Sequence, residues 1–272
     1  MRPSLAGVGD AIVVEVADGI ATVRLNRPAK HNAVNLGMWQ ALALLMPELA
    51  DDPAVEVMVL RGTPGGPFSA GADVEEFRTL RSTADSAAAY GEAVAAGEAA
   101  LVRFPKPTVA LVEGFAIGGG TQLALACDLR VCEPGSRFGI TPAKLGIVYG
   151  LASTARLVDV VGSAWASWIL LTGDLIDAPT ALRIGLVHEI SEDVEARALE
   201  LAATLTQRAQ VSLRGAKALI RKVSEGIRTE DDEVRRHYHD SLHSPEYAEG
   251  VAAFLAKRAP DFRLARIPLA EE

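Results

Sequence analysis

Residues 106–130 read KPTVALVEGFAIGGGTQLALACDLR, and the order of features inside that stretch decides the fold class. The continuous apolar run at 107–112 predicts a strand buried on both faces, as in a parallel sheet. GGGTQ at 118–122 is a small-residue turn leading straight into a helix predicted over 119–126. LRVC at 129–132 predicts a further short strand. Strand, turn, helix and strand in succession imply crossover units rather than a sandwich. A second small-residue turn, FSAGAD at 68–73, also opens onto a helix-like segment. Each turn offers unencumbered backbone N–H groups where free donors and the helix dipole favour negative charge. Two such groups aimed at one oxygen make an oxyanion hole. Gln122, just past the second turn, is a neutral amide and cannot act as acid or base.

Outward from these turns, alternating segments at 12–16 and 20–25 flank Asp18-Gly19 and predict a β-hairpin. Apolar spacing of three and four predicts a helix over 36–49, and the run at 55–60 a buried strand. Further helices are expected at 74–81 and 84–103. From about 157 the chain turns Ala-rich, charged and helical to about 257, with a strand at 186–190, a loop at 175–180 and a short helix from 180 to 183. The plainest division is an α/β core over 1–200 and a helical region over 201–272, with no internal repeat.

A chain of 272 residues, 49% hydrophobic and 23% charged, suits a soluble protein with a sizeable core. A net charge of −8 argues against nucleic-acid partners. Apolar runs are broken before reaching a membrane-spanning length of about 18 residues. MRPSLAGVGD at 1–10 carries neither a signal-peptide apolar stretch nor transit-peptide character, so a cytoplasmic location is expected. Cys127 and Cys132 are too few for a disulfide scaffold and read as buried small hydrophobes.

The chain resembles the crotonase superfamily, the enoyl-CoA hydratase/isomerase family, over nearly its whole length. The resemblance runs through NRPAKHNAV (26–34), FSAGADVEEF (68–77), the 106–130 stretch, RFGITPAKLGIVYG (137–150), LTGDLIDAPTALRIGLVHEI (171–190) and EYAEGVAAFLAKRAPDF (246–262). It implies a spiral of ββα turns with a helical C-terminal trimerisation region. It also implies an enzyme of lyase or isomerase type acting on acyl-CoA thioesters, with coenzyme A as part of the substrate and a homo-oligomer, trimer or hexamer. By position, Ala72 and Gly119 would hold the thioester oxygen of an enolate-like anion. Hydratases of this family carry a Glu where this chain has Gln122 and a second where it has Pro142. Thr141-Pro142, LGIVYG (145–150) with its Tyr149, and the C-terminal segment are locally similar to methylmalonyl-CoA decarboxylase, which nevertheless has Glu at the place of Gln122 and His at that of Ala72. A wall without carboxylates suits loss of CO₂ from a malonyl-type thioester, with Tyr149 or Thr141 orienting the leaving group. The contrary class is a non-catalytic acyl-CoA-binding protein or scaffold subunit. A carboxylate or Tyr within about 4 Å of the reacting acyl carbons would restore hydratase or isomerase chemistry.

For single residues two readings stay open. Gln122 either orients substrate or bonds its own backbone, and Tyr149 either touches the acyl group or packs. Asp73 is expected to cap the helix it opens. Glu75 or Glu76 either replaces the missing acid/base group or is a solvated helix acid. The resemblance places Lys30, His31, Ala33, Ala70, Asp73 and Val74 along the coenzyme A, with Phe254 and Lys257 against the coenzyme A of a neighbouring subunit. The alternatives are exposed Lys30 and His31 side chains, a core Phe254 and a solvated Lys257. His237, His239 and His243 invite a metal hypothesis, but nothing near them completes a site, and no metal is expected.

Overall fold

A computed structural model describes residues 9–266. The two ends, 1–8 and 267–272, lie outside the described residues, including most of the segment that bears on the leader expectation. The chain opens with the predicted hairpin, β1 (Ile12–Ala17) and β2 (Ile20–Leu25). Asp18 and Gly19 both take positive φ (51° and 84°), as a two-residue turn matched to strand twist requires. After α1 (Leu36–Asp51) the sheet continues through β3 (Val57–Arg61). Then come α2 (Phe77–Leu80), α3 (Ala84–Arg103), β4 (Thr108–Val112), β5 (Phe115–Ile117), α4 (Gly119–Ala126), β6 (Leu129–Cys132) and β7 (Arg137–Gly139). The rest is α5 (Leu151–Thr172), β8 (Ile176–Asp177), α6 (Ala178–Arg183), β9 (Glu189–Ile190) and helices α7 (Val194–Thr206), α8 (Gln210–Ser224), α9 (Asp232–Leu242), α10 (Pro245–Leu255) and α11 (Phe262–Ala265).

The main sheet has the order β1-β2-β3-β4-β6-β9, parallel from β2 onward, and β5-β7-β8 form a second, smaller sheet. Isolated bridges Ser69↔Ala116 and Val34↔Ala72 extend that second layer toward the 68–73 turn. The chain therefore runs strand, strand, helix in each winding, β4-β5-α4 and then β6-β7-α5. This is the spiral of ββα turns that the resemblance implies. Period-two alternation explains why the central strands read as unbroken apolar runs. Met58, Leu60, Ala110 and Val112 face the large core with α1, while Val57, Val59, Val109 and Leu111 face Val194, Ala198 and Ala202 of α7. Position 200 thus falls inside a helix packed on the sheet. The later helices are tied back by Lys217, whose Nζ donates to Lys106 O at 2.9 Å and pairs with Asp128 at 2.7 Å.

Several expectations shift. The predicted 74–81 helix is a 3₁₀ turn (Val74–Glu76) followed by the four-residue α2. The strand expected at 186–190 shortens to Glu189–Ile190, because Leu186 and Val187 donate their N–H groups to Ala181 O and close the end of α6. The loop at 175–180 contains β8, and α6 starts at Ala178 rather than 180, with Asp177 accepting from Thr180 N at 2.9 Å. The β3 register moves so that Arg61 is its last residue, buried against Glu113 and Glu195. β5, β7 and β8, of two or three residues each, show no alternation that a sequence pattern registers.

Candidate active site

The two small-residue turns meet backbone to backbone. Ser69 N donates to Phe115 O at 3.0 Å and Ile117 N to Ser69 O at 3.0 Å, locking 68–73 against β5. A Cβ on Gly71 (φ +95°) would stand 2.6 Å from Ile117 O, and one on Gly120 would stand 2.7 Å from Ser69 O. Only glycine permits that approach. It brings Ala72 beside the first residue of α4: a Cβ on Gly119 would lie 3.5 Å from Ala72 N, and one on Gly71 would lie 3.4 Å from Gly119 N. Among the described residues, neither the Ala72 nor the Gly119 N–H donates to a protein acceptor. Neighbouring donors left free at one spot fit an oxygen that carries developing charge.

These donors open on a cavity of about 360 Å³ lined by Trp39, Val94, Glu98, Gln122, Thr141, Tyr149 and others. The opposite wall is a side-chain network. Gln122 Nε2 donates to Glu98 Oε2 at 2.6 Å and to Ser153 Oγ at 3.0 Å, and Ser153 Oγ donates to the same Glu98 oxygen at 2.7 Å. Arg156 pairs with Glu98 Oε1. With both amide hydrogens so used, the Gln122 carbonyl has no partner among the described residues. The Tyr149 hydroxyl is buried without a hydrogen bond of good geometry. Burial drives its phenol well above the ordinary range, and the Glu98 charge adds to that; Ser153 and Arg156 oppose it. Burial therefore keeps the Tyr149 phenol neutral.

The Enoyl-CoA hydratase/isomerase family description matches residues 15–264 of this chain. The chain belongs to that family. Its acyl-CoA-acting relatives include a protein named probable enoyl-CoA hydratase in Mycobacterium leprae, 34% identical over 93% of this chain and 98% of the relative. The 2,3-dehydroadipyl-CoA hydratase of Escherichia coli is 33% identical over 93% and 98%. An enoyl-CoA hydratase/isomerase family protein from Hyphomonas neptunium superposes with a TM-score of 0.90 at 35% identity, over 94% of this chain and 98% of that one.

Ala70, Ala72, Val74, Gly119, Gln122, Thr141, Pro142 and Tyr149 all line the cavity. The wall is not free of carboxylates, however: Glu98 stands in it, 4% exposed, and the expectation of a neutral wall is corrected. Glu75 and Glu76 are not among the residues that line the cavity: Glu75 pairs with Lys30 at the surface and Glu76 accepts from Leu36 N at 2.8 Å. Asp73 lies outside the cavity wall and caps its turn, accepting from Glu75 N, while its other oxygen pairs with Arg27 at 2.8 Å.

Lys30, His31 and Ala33 form the loop behind the turn. His31 (φ 49°) accepts from Ala70 N at 2.9 Å, and the Ala33 carbonyl accepts from Arg27. Phe254, 83% exposed, and Lys257 sit at the end of α10, away from this cavity within one chain; a core Phe254 is thereby excluded. His239 and His243 stack at 4.1 Å, and no metal-holding cluster occurs among the described residues. Cys127 and Cys132 are buried, which pushes both thiols up to about 12. No helix among the described residues is long and apolar enough to cross a membrane.

Sequence reasoning missed Glu98, Ser153, Tyr90 and Arg81. The available signal was the spacing Tyr90, Val94, Glu98, three residues of α3 on one face.

Proposed function

We propose that this protein catalyses a hydratase- or isomerase-type reaction on an α,β-unsaturated acyl-CoA thioester, with Glu98 carrying the proton. The observation behind this reading is the pair of free main-chain donors at Ala72 and Gly119 opening on a cavity that holds a buried carboxylate. The thioester oxygen sits between the two donors, which stabilise the enolate as it forms. Water accepts orientation from the unpartnered Gln122 carbonyl. Its oxygen bonds to the β-carbon, its proton passes to Glu98, and the same carboxyl returns a proton to the α-carbon, so that the net change is addition of water. Arg156 and Ser153 hold the carboxyl in place. Lys30, His31, Ala33, Ala70, Asp73 and Val74 line the coenzyme A. Phe254 and Lys257 reach it from a neighbouring subunit of a trimer or hexamer, which accounts for an exposed phenylalanine.

One observation favours a second reading. Glu98 already accepts from Arg156, Gln122 and Ser153, so both carboxyl oxygens are engaged before any water arrives. Decarboxylation of a malonyl-type thioester needs no base: the bond to the carboxylate breaks, its electron pair enters the enolate held by the same donors, and Tyr149 supplies the proton.

Mass-spectrometric turnover of crotonyl-, 3-hydroxybutyryl-, malonyl- and methylmalonyl-CoA, with wild type beside Glu98→Gln, separates these. Water addition that falls about 10²- to 10⁴-fold in the variant supports the first reading. Loss of CO₂ indifferent to Glu98→Gln supports the second. Thermal stabilisation by the thioesters without turnover would leave a non-catalytic acyl-CoA-binding protein.

A further inference from the structure

Glu98 marks one end of the cavity, and the other end carries a cation with no counter-ion among the described residues. Tyr90 and Glu98 lie on the same face of α3, eight residues apart, or roughly 12 Å along the axis. Between them the cavity is lined by the small or apolar Gly91, Val94 and Ala95. At the Tyr90 end stands Arg81, its guanidinium carbon 4.2 Å from the Phe77 ring centre and 4.5 Å from that of Tyr90. Both aromatic residues and Arg81 line the cavity.

The two rings meet edge to face and hold the guanidinium by cation–π contact, which satisfies none of its hydrogens. Among the described residues Arg81 has no ion-pair partner, and its Nε is buried without an acceptor. The acids of the preceding turn are all committed elsewhere: Asp73 to Arg27, Glu75 to Lys30 and Glu76 to Leu36 N. Tyr90 is 2% exposed, and its hydroxyl is likewise buried without a partner. Burial raises that phenol to about 12, with Glu76 adding and Arg81 opposing, so it remains a donor. The buried Arg61 shows the ordinary solution, pairing with both Glu113 and Glu195. Buried donors without acceptors are costly, and an arginine cannot shed its charge.

We infer that Arg81 and Tyr90 bind a carboxylate at the far end of the acyl chain, so that the preferred substrates are thioesters of dicarboxylic acids. A carboxylate supplies two acceptors for the forked donors of a guanidinium, and a further lone pair for the Tyr90 hydroxyl. Val94, Gly91 and Ala95 then cover the methylene stretch between the two ends. This inference rests on the acyl-CoA reading above.

The test uses saturated thioesters, which bind without reacting, so affinity is read apart from turnover. Calorimetric affinities would be compared in matched pairs: adipyl- with hexanoyl-CoA, suberyl- with octanoyl-CoA, and sebacyl- with decanoyl-CoA. Wild type should prefer the dicarboxylic member of at least one pair. Arg81→Met, which keeps the packing on both rings, should reduce that preference by about 10- to 100-fold, the scale of a lost hydrogen bond to a charged group. Tyr90→Phe should reduce it several-fold. Free CoA should bind all three proteins alike. Equal affinity within every pair overturns the inference while leaving the acyl-CoA reading intact. So does an Arg81→Met loss shared by free CoA, which would assign the guanidinium to the coenzyme's phosphates. Failure of wild type to bind any thioester overturns both.

Discussion

The cavity has two facing walls built on different principles. One is main chain: Ala72 and Gly119 contribute N–H groups whose placement depends on the absence of side chains at Gly71 and Gly120. The other is side chain: Glu98, Gln122, Ser153 and Arg156 hold one another through four contacts among residues far apart in sequence. The first wall keeps the small residues its family's sequence pattern demands. The second has Gln122 and Pro142 where the resemblance leads one to expect glutamates, and it holds a buried acid from α3. A backbone device tolerates little variation and suits a function shared across a family. A side-chain network can be rebuilt, and so it is where one member comes to differ from another.

The largest effect should come from the main-chain wall. Gly119→Pro removes one of the two free N–H donors at the first position of α4, where a helix can accept proline. Turnover of whichever thioester reacts should fall about 10²- to 10³-fold, with secondary structure by circular dichroism unchanged. An unaltered kcat would break the comparison by showing that this wall does not hold the reacting oxygen.

Next is Gln122→Leu, which keeps volume but removes the amide. We expect kcat to fall about 10- to 100-fold, on the scale of stranding buried partners. The affinity for a saturated acyl-CoA should hardly move. A loss confined to binding would reassign Gln122 from the chemistry to the acyl chain.

A third variant tests whether such losses are specific to the cavity. Lys106 is 1% exposed, and its ammonium donates to the Leu49 and Asp52 carbonyls at 2.9 and 2.7 Å, closing the end of α1. Lys106→Met should lower stability by about 1–3 kcal/mol in urea titrations, without changing kcat. Burial, helped by the neighbouring Arg214, pulls the Lys106 ammonium down to about 8 from its ordinary 10.5. The unfolded chain therefore holds this proton over a pH range in which the folded one has lost it. Stability contributed at this site rises with pH through that window. The gap between wild type and Lys106→Met should widen from about pH 8 to about pH 10.5; a gap that narrows would refute the assignment.

The smallest effect should come from Lys30→Ala. Its pair with Glu75 is exposed, and such pairs contribute between about 0 and 1 kcal/mol. A clear rise in KM at unchanged stability would sharpen the expectation that coenzyme A passes this loop.

The main-chain wall was legible in the sequence because its requirements are local. GGGTQ and FSAGAD announce themselves as small-residue turns, and α3, α4 and β6 fall where periodicity and apolar runs put them. Asp73 was legible as a cap for the same reason. The side-chain wall was not. Glu98 sits in an Ala-rich helix and looks like any solvated helix acid. What makes it a cavity residue is contact with Ser153 and Arg156, 55 and 58 positions away, which no local pattern encodes. Arg81 escaped for a related reason. The 74–81 segment carries enough charge to pass for a surface helix, and only the fold brings Tyr90 under the guanidinium.

The contact of Gly71 with Ile117 and of Gly120 with Ser69 works as a caliper. Its jaws are two peptide planes, and its setting is fixed by carbon atoms that are not there. A single methyl group at either jaw would spread them. Substitutions elsewhere in the cavity can reshape its side-chain wall while the spacing of the Ala72 and Gly119 N–H groups keeps its gauge.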